Sequence, residues 1–452
     1  MLFWYRASPE PLVPKAPEWT PTSDDPPPTL PGMVTITLDD RGRLNQLQAE
    51  PPRKSEQRTA TPGAVWPSLF AAAALPMSDF TPVTPEWVPL TYADERAAWE
   101  GPFRGDTKTR IRVEAAAYQG RPVFFQISGP WTPPPVTPGQ APASPVAIGR
   151  GFLNFILLLV LIATVALARS NLRSGRGDLR GASHTTFFAM TLWLLGWAIS
   201  GRHYSSFEIE YGQFFAILGT VLINCGIIWL LYVALEPYVR RFTPHLLVSW
   251  SRVMGGQLRD PQVGRDLLIG VAVGVGLALL SAAFFFIPMV TGGPPNTPRA
   301  TNLPYLLDAR IALGTLLRSI PNPMTNALFM AITYVVGRAV SGRGWVGGIC
   351  AGGLFAIFLI GESTDNIWFL IVFAACFVTI IVLTMVYAGV LTLAIAFLVQ
   401  QMLNVSPITI DWSQPHASGG LWTILLLLGL TMFGFYASRA GQPLFGRLVN
   451  TD

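Results

Sequence analysis

Charge is scarce in this sequence. Asp, Glu, Lys and Arg make up 13% of the 452 residues, against 51% hydrophobic residues. Soluble domains usually carry about twice that share of charge, so an ordinary water-soluble protein is excluded. Cysteine is scarcer still. Cys225, Cys350 and Cys376 all lie inside apolar runs, which leaves no disulfide framework and no CxxC metal pair. Burial in helix packing is their expected role. The sequence has no HExxH pair and no GxSG-type serine, and the interiors of its apolar runs are almost free of ionisable groups. Those absences weigh against an intramembrane protease and an ion-coupled pump. No cofactor or metal is expected. Residues 1–147, finally, hold no apolar run long enough to cross a bilayer.

Long runs begin at Gly151. Candidate crossings are 151–168, 185–201, 213–235, 267–290, 323–340, 344–361 and 421–437. The run from Ile367 to Leu403 is too long for one crossing and divides near Tyr387-Ala388-Gly389, giving about nine spans. The chain is therefore read as an α-helical polytopic membrane protein. A small α+β domain occupies 1–131, a stiff proline-rich linker 132–147, and the membrane domain 148–452.

The net charge of +5 does not point to nucleic acid, because the arginines cluster beside the apolar runs, where membrane topology places them. They follow the first, third, fifth and ninth spans ("RSNLRSGRGDLR", "EPYVRR", "GRAVSGRGW", "SRAGQPLFGR") and thin out in the alternate loops. The positive-inside rule then puts the C-terminus in the cytoplasm and residues 1–147 outside it, with the lipid bilayer as the first partner. "MLFWYRASPEPLVP" has no basic start, long apolar stretch or cleavage site. Export of the front portion therefore leads to the expectation of a membrane helix upstream, in a longer parent chain.

Within the polar region, "GMVTITLDDRGRLNQLQAEPP" (32–52) and "RIRVEAAAYQGRPVFFQISGPW" (110–131) alternate around turn residues and predict two hairpins. Residues 64–75 read as a helix, and "DERAAWEG" (94–101) as a further helical turn. Asp39, Asp40 and Glu56 are read as turn and surface residues.

The segment 236–266 is the candidate functional element. The proline after Glu236 is expected to end the preceding helix. Leu246, Leu247, Trp250 and Val253 then fall at helical spacing, so that one apolar face could lie on the bilayer surface. Arg240, Arg241, Arg252, Arg259 and Arg265 would meet lipid phosphates or acids, with Glu236, Asp260 and Asp266 as partners inside the segment. Two readings stay open: an interfacial helix braced by internal salt bridges, and a docking surface for a cytoplasmic domain. A second apolar segment with charges, 304–323, reads as an interfacial helix on the outer side or a re-entrant segment. Gly270 and Gly274, and Gly344, Gly348 and Gly352, recur every four residues, the spacing of close helix packing. Glu362 and Asp365 read as loop residues, and His184, His203, His245 and His416 as scattered.

"LFWYRASPEPLVP", "AAWEGPFRG", "RVEAAAYQGRPVFFQISGPW", the 235–270 block and "ASRAGQPLFG" together resemble the C-terminal half of certain large bacterial membrane-bound serine/threonine protein kinases. That resemblance implies a cytoplasmic kinase domain in the same parent chain, a bacterial inner-membrane location and the upstream helix. The kinase machinery itself is not in these residues, which contain no VAIK-type lysine behind a Gly-rich loop, no HRD…N loop and no DFG. The expected function is a non-catalytic sensor or regulatory region that signals across the membrane; the alternative is a permease for an apolar or lipid-like substrate.

Overall fold

The computed structural model describes residues 2–14, 21–54, 65–104, 106–132, 145–290, 308–359, 367–406, 408–409, 411 and 417–440. Glu56, Glu362, Asp365, His416, residues 133–144 of the linker and residues 291–307 lie outside these residues. The chain divides into two compact units, Met1–Ala141 with Arg202–Gln213, and Pro142–Gly201 with Phe214–Asp452.

The first unit is built on a seven-stranded antiparallel sheet, in the order β1-β2-β3-β7-β6-β5-β4. Its strands are β1 (Leu2–Ala7), β2 (Val34–Asp39), β3 (Leu44–Ala49), β4 (Thr81–Val83), β5 (Glu95–Phe103), β6 (Asp106–Tyr118) and β7 (Arg121–Ser128). Both expected hairpins are present, as β2–β3 and β6–β7. The second closes through Gln119 and Gly120, both at positive φ, as the right-handed twist of a two-residue hairpin demands. Alternation on β6 and β7 buries Ile111, Val113, Phe125 and Ile127, and the short helix α1 (Trp66–Ala72) covers them. Phe70 sits at the centre, edge-on to Trp99 at 5.1 Å and to Phe80 at 5.3 Å.

Residues 94–101 correct the expectation of a helical turn. They form most of β5, paired to β4 on one side and β6 on the other, with Ala98 and Trp99 buried. Ladder pairing on both edges and the packing of Trp99 outweigh the helix preference of Glu, Arg and Ala. On the opposite face of the sheet Arg112 binds Glu114 at 2.7 Å and Glu100 at 3.0 Å. At the β2–β3 turn, burial alone would raise the Asp39 carboxyl. The Arg43 and Arg41 backbone N–H groups and the Arg43 guanidinium outweigh it and hold the group at about 2. Residues 202–213 belong to this unit, where the Tyr204 hydroxyl donates to the Leu12 carbonyl at 2.8 Å.

The second unit is helical: α2 (Pro145–Arg173), α3 (Leu179–Ser200), α4 (Phe207–Phe242, from Phe214 onward), α5 (Val248–Met254), α6 (Pro261–Val290), α7 (Ala309–Ser319), α8 (Pro321–Ser341), α9 (Gly344–Leu359), α10 (Ile367–Val405) and α11 (Ala417–Ser438). Among the described residues five helices, α2, α4, α6, α10 and α11, are long and apolar enough to cross a membrane. The protein is thus mostly helical, with an antiparallel sheet domain at its N-terminal end.

The 39-residue α10 is not one rod. Phe355 of α9 stacks on both Phe377, at 5.9 Å, and Phe397, at 5.3 Å. In a straight helix those two phenylalanines would stand about 30 Å apart. Likewise α6 meets residues 392–399 through Gly270 and Gly274, and Phe369 and Phe373 through Phe284. The chain therefore folds back at Gly389, whose φ of 93° and ψ of 178° no other residue adopts cheaply.

Helix α4 also departs from expectation. It runs through Pro237 to Phe242 instead of stopping after Glu236. Proline deprives the carbonyl four residues back, that of Val233, of its helical donor. Here the Asn171 side chain supplies the missing proton, at 3.0 Å to Val233 O and 3.2 Å to Ala234 O. A neighbouring helix satisfies the freed carbonyl, as proline-containing membrane helices require. Asn171→Leu should therefore cost about 1–3 kcal/mol. With Pro237→Ala in place the helix regains its own donor, and the same change should cost clearly less. A double-mutant cycle read by detergent unfolding measures the difference, and equal costs in the two backgrounds would refute the pairing.

The glycine pattern resolves into distinct contacts. A Cβ on Gly270 would stand 2.8 Å from Ile395 Cβ, and one on Gly274 2.6 Å from Val399 Cβ. On α9, Gly352 and Gly348 face Val378 and Val382 of α10, whereas Gly344 makes only an ordinary contact with the Tyr334 hydroxyl. The close approach of α8 to α9 is made by Gly337 and Gly347 instead. Gly274→Ala is expected to lose about 1–3 kcal/mol through overpacking. Gly276→Ala, two residues on and with nothing within 4 Å, should be neutral or gain up to ~1 kcal/mol of helix propensity. Thermal unfolding of the two variants in detergent checks the contrast.

Within the segment 304–323, read as an interfacial helix or a re-entrant segment, helix α7 packs against its neighbours. Ala312, Gly314, Thr315 and Leu316 are buried, Gly314 lies against Gly196 and Ser200 of α3, and Leu316 packs with Leu398 and Met402. Its apolar face is taken up by protein.

Candidate functional site: the arginine-bearing segment

Residues 236–266 comprise the end of α4, a 3-10 turn (Pro244–Leu247), α5 and the start of α6. The apolar face foreseen for the bilayer surface is turned inward. Leu246 and Trp250 are each 1% exposed and Leu247 6%, and α5 packs on α3, α6 and α10. The correction has a local cause: Leu246 and Leu247 close the 3-10 turn against the α10 reversal. There His245 Nε2 lies 2.9 Å from the Val386 carbonyl, and the Leu246 carbonyl sits over Gly389.

The charged residues separate into two sets. Asp266 is buried and accepts a 2.5 Å hydrogen bond from Ser249 Oγ, which pins α5 to α6. Arg252 reaches Asp260 at 2.6 Å and the Gln262 side-chain oxygen at 3.0 Å, tying the end of α5 to the start of α6. Burial alone would raise the Asp260 carboxyl, but the Gln262 N–H and the Arg252 guanidinium outweigh it and hold the group below the usual carboxylate range. Glu236 is buried at the end of α4 and pairs with Arg240 one turn on. With Trp250, these residues fasten the segment.

The second set faces outward. Arg240 keeps 77% of its side chain exposed despite its pairing. Arg241 is exposed with its guanidinium over the Phe242 ring, and Arg265 is exposed beside Asp266 at 3.2 Å. Arg259 is exposed and pairs with no carboxylate among the described residues. What such a set can do chemically is bind anions, since guanidinium groups grip carboxylate or phosphate with two parallel hydrogen bonds. It offers no nucleophile or general base.

The bracing extends to residues that no reading of the segment could supply. Asp178 caps α3 by accepting from Gly181 N at 3.0 Å, and it receives the Tyr232 hydroxyl at 3.4 Å. A cap ahead of a helix has a sequence signal. The pairings Asp178–Tyr232, Asn171–Val233 and Ser249–Asp266 have none, because each joins residues 17 to 62 positions apart.

No protein-family model, no curated protein and no solved structure matches this chain.

Proposed function

We propose that the chain is the non-catalytic membrane sensor and regulatory region of a bacterial serine/threonine protein kinase. It lies in the inner membrane, with the sheet unit outside and the C-terminus in the cytoplasm. Counting α3, α8, α9 and both limbs of α10 with α2, α4, α6 and α11 gives nine crossings. Two of them, α2 and α3, return the chain to its starting side. The connection that follows, 202–213, belongs to the same compact unit as the sheet.

One observation carries the reading. The 236–266 segment is anchored by Glu236, Trp250 and Asp266, while Arg240, Arg241, Arg259 and Arg265 are exposed, Arg240 and Arg265 each beside one of those buried carboxylates. A firmly held cationic face suits the docking of an acidic or phosphorylated surface, such as that of a kinase domain. The glycines on which the permease alternative rests, Gly270, Gly274, Gly348 and Gly352, face side chains of α10.

The test is made in cells expressing the full parent protein. Changing Arg240, Arg241 and Arg259 together to Gln is expected to uncouple substrate phosphorylation from signals on the outer side, with the amount of inserted protein unchanged. Wild-type phosphorylation control in a correctly inserted triple variant would sink the reading.

A further inference from the structure

A cavity of about 540 Å³ lies beside the arginine-bearing segment. Its inner wall is formed by Trp250, Leu267, Ala394 and Leu398, all buried, and its rim by His184, Phe188 and Leu258, all exposed. The volume falls within the ~300–1,000 Å³ of small-molecule sites. It follows α10 from Leu391 to Leu398, about 10 Å along the axis, so it is a slot.

The wall chemistry restricts the occupant. Among the described residues His184 is the only lining residue with an ionisable side chain. A peptide placed there would lose water from its backbone and find few partners, at a cost of several kcal/mol per unsatisfied group. A hydrocarbon chain loses nothing. Two arginines adjoin the rim residues in sequence, with Asp178 and Asp260 beside them. Arg180 precedes His184 by one helical turn and Arg259 follows Leu258. Both are exposed and pair with no carboxylate among the described residues.

We infer that this slot holds one acyl chain of an anionic phospholipid, with its phosphate at Arg180 and Arg259. The site fastens a membrane lipid to the docking element and takes Arg259 for the phosphate, leaving Arg240 and Arg241 to the docking partner, and it stands whether or not that partner is a kinase.

The test uses the full chain in nanodiscs containing phosphatidylglycerol with a diazirine in its acyl chain, irradiated and mapped by peptide mass spectrometry. Adducts are expected on Met254, Leu267 or Leu398 at several-fold the level found on Leu222 and Ile223, which are exposed on α4. Ala394→Phe should abolish the cavity adducts and leave those on α4 unchanged. Ala394→Val, a smaller intrusion, should reduce them in a chain that folds normally. Arg180→Gln with Arg259→Gln should lower cavity labelling by phosphatidylglycerol while labelling by the phosphatidylcholine analogue stays low. Cavity adducts no more frequent than those on α4, or unaffected by filling at Ala394, overturn the site. Equal labelling by the two headgroups overturns the assignment of the arginines.

Discussion

Gly389→Ala is expected to abolish the native helical unit or to cost it at least ~3 kcal/mol. Two effects add. With φ at 93° and ψ at 178°, the residue occupies a region that is essentially glycine-only, where a side chain costs on the order of 1–3 kcal/mol. The added Cβ would also stand 2.9 Å from the Leu246 carbonyl oxygen, a backbone atom held by its own turn. Relief needs either the two limbs of α10 to open or the 3-10 turn to leave. The first breaks the stacking of Phe355 on Phe377 and Phe397; the second exposes Leu246 and Trp250. Tyr387→Ala, two residues away at a 79% exposed side chain, should change stability by no more than ~0.5 kcal/mol. Folded yield on size exclusion and unfolding in graded detergent provide the readout. A Gly389→Ala protein as stable as its Tyr387→Ala control would mean that the reversal is not fixed there.

Trp250→Ala should cost about 3–5 kcal/mol, the range for removing a large buried aromatic. The indole is 1% exposed and forms part of the slot wall, so neighbouring side chains cannot collapse fully into the vacated space. Trp250→Phe separates packing from hydrogen bonding. Because Nε1–H has no protein acceptor among the described residues, losing it removes no protein–protein bond, and the smaller ring should cost less than ~1.5 kcal/mol. Unfolding measured for both variants, with proteolysis near Arg252 and Arg259 as a local probe, distinguishes a fastened segment from a loose one. If Trp250→Ala neither lowers stability nor speeds cleavage, the segment is not anchored by its tryptophan.

The parts of the fold legible in the sequence are those with local signals. Turn residues at "DDRG" and "YQGR" located two hairpins because a glycine at positive φ is a requirement of the turn itself. Hydropathy located the helices, and the excess length of the Ile367–Leu403 run, together with Gly389, located the reversal. What stayed hidden depends on distant partners. β5 is a strand because β4 and β6 flank it, and nothing within "DERAAWEG" says so. Trp250 was legible as part of an apolar helical face, but not which surface would cover that face. Of the candidate site, the outward arginines were visible from charge alone, whereas Ser249, Gln262 and Asn171 acquire their roles only from residues that folding brings near.

The Asn171 contact bears on how the protein is made. Synthesis proceeds from the N-terminus, so the amide that serves Val233 leaves the ribosome 62 residues ahead of the carbonyl it will meet. By the time Pro237 is made, its compensating donor is already present on an earlier helix, and the bare carbonyl need not wait for it. Reversing that order, by circular permutation that places α2 after α4, would leave the nascent helix with an unmet polar group at the stage when it can least tolerate one.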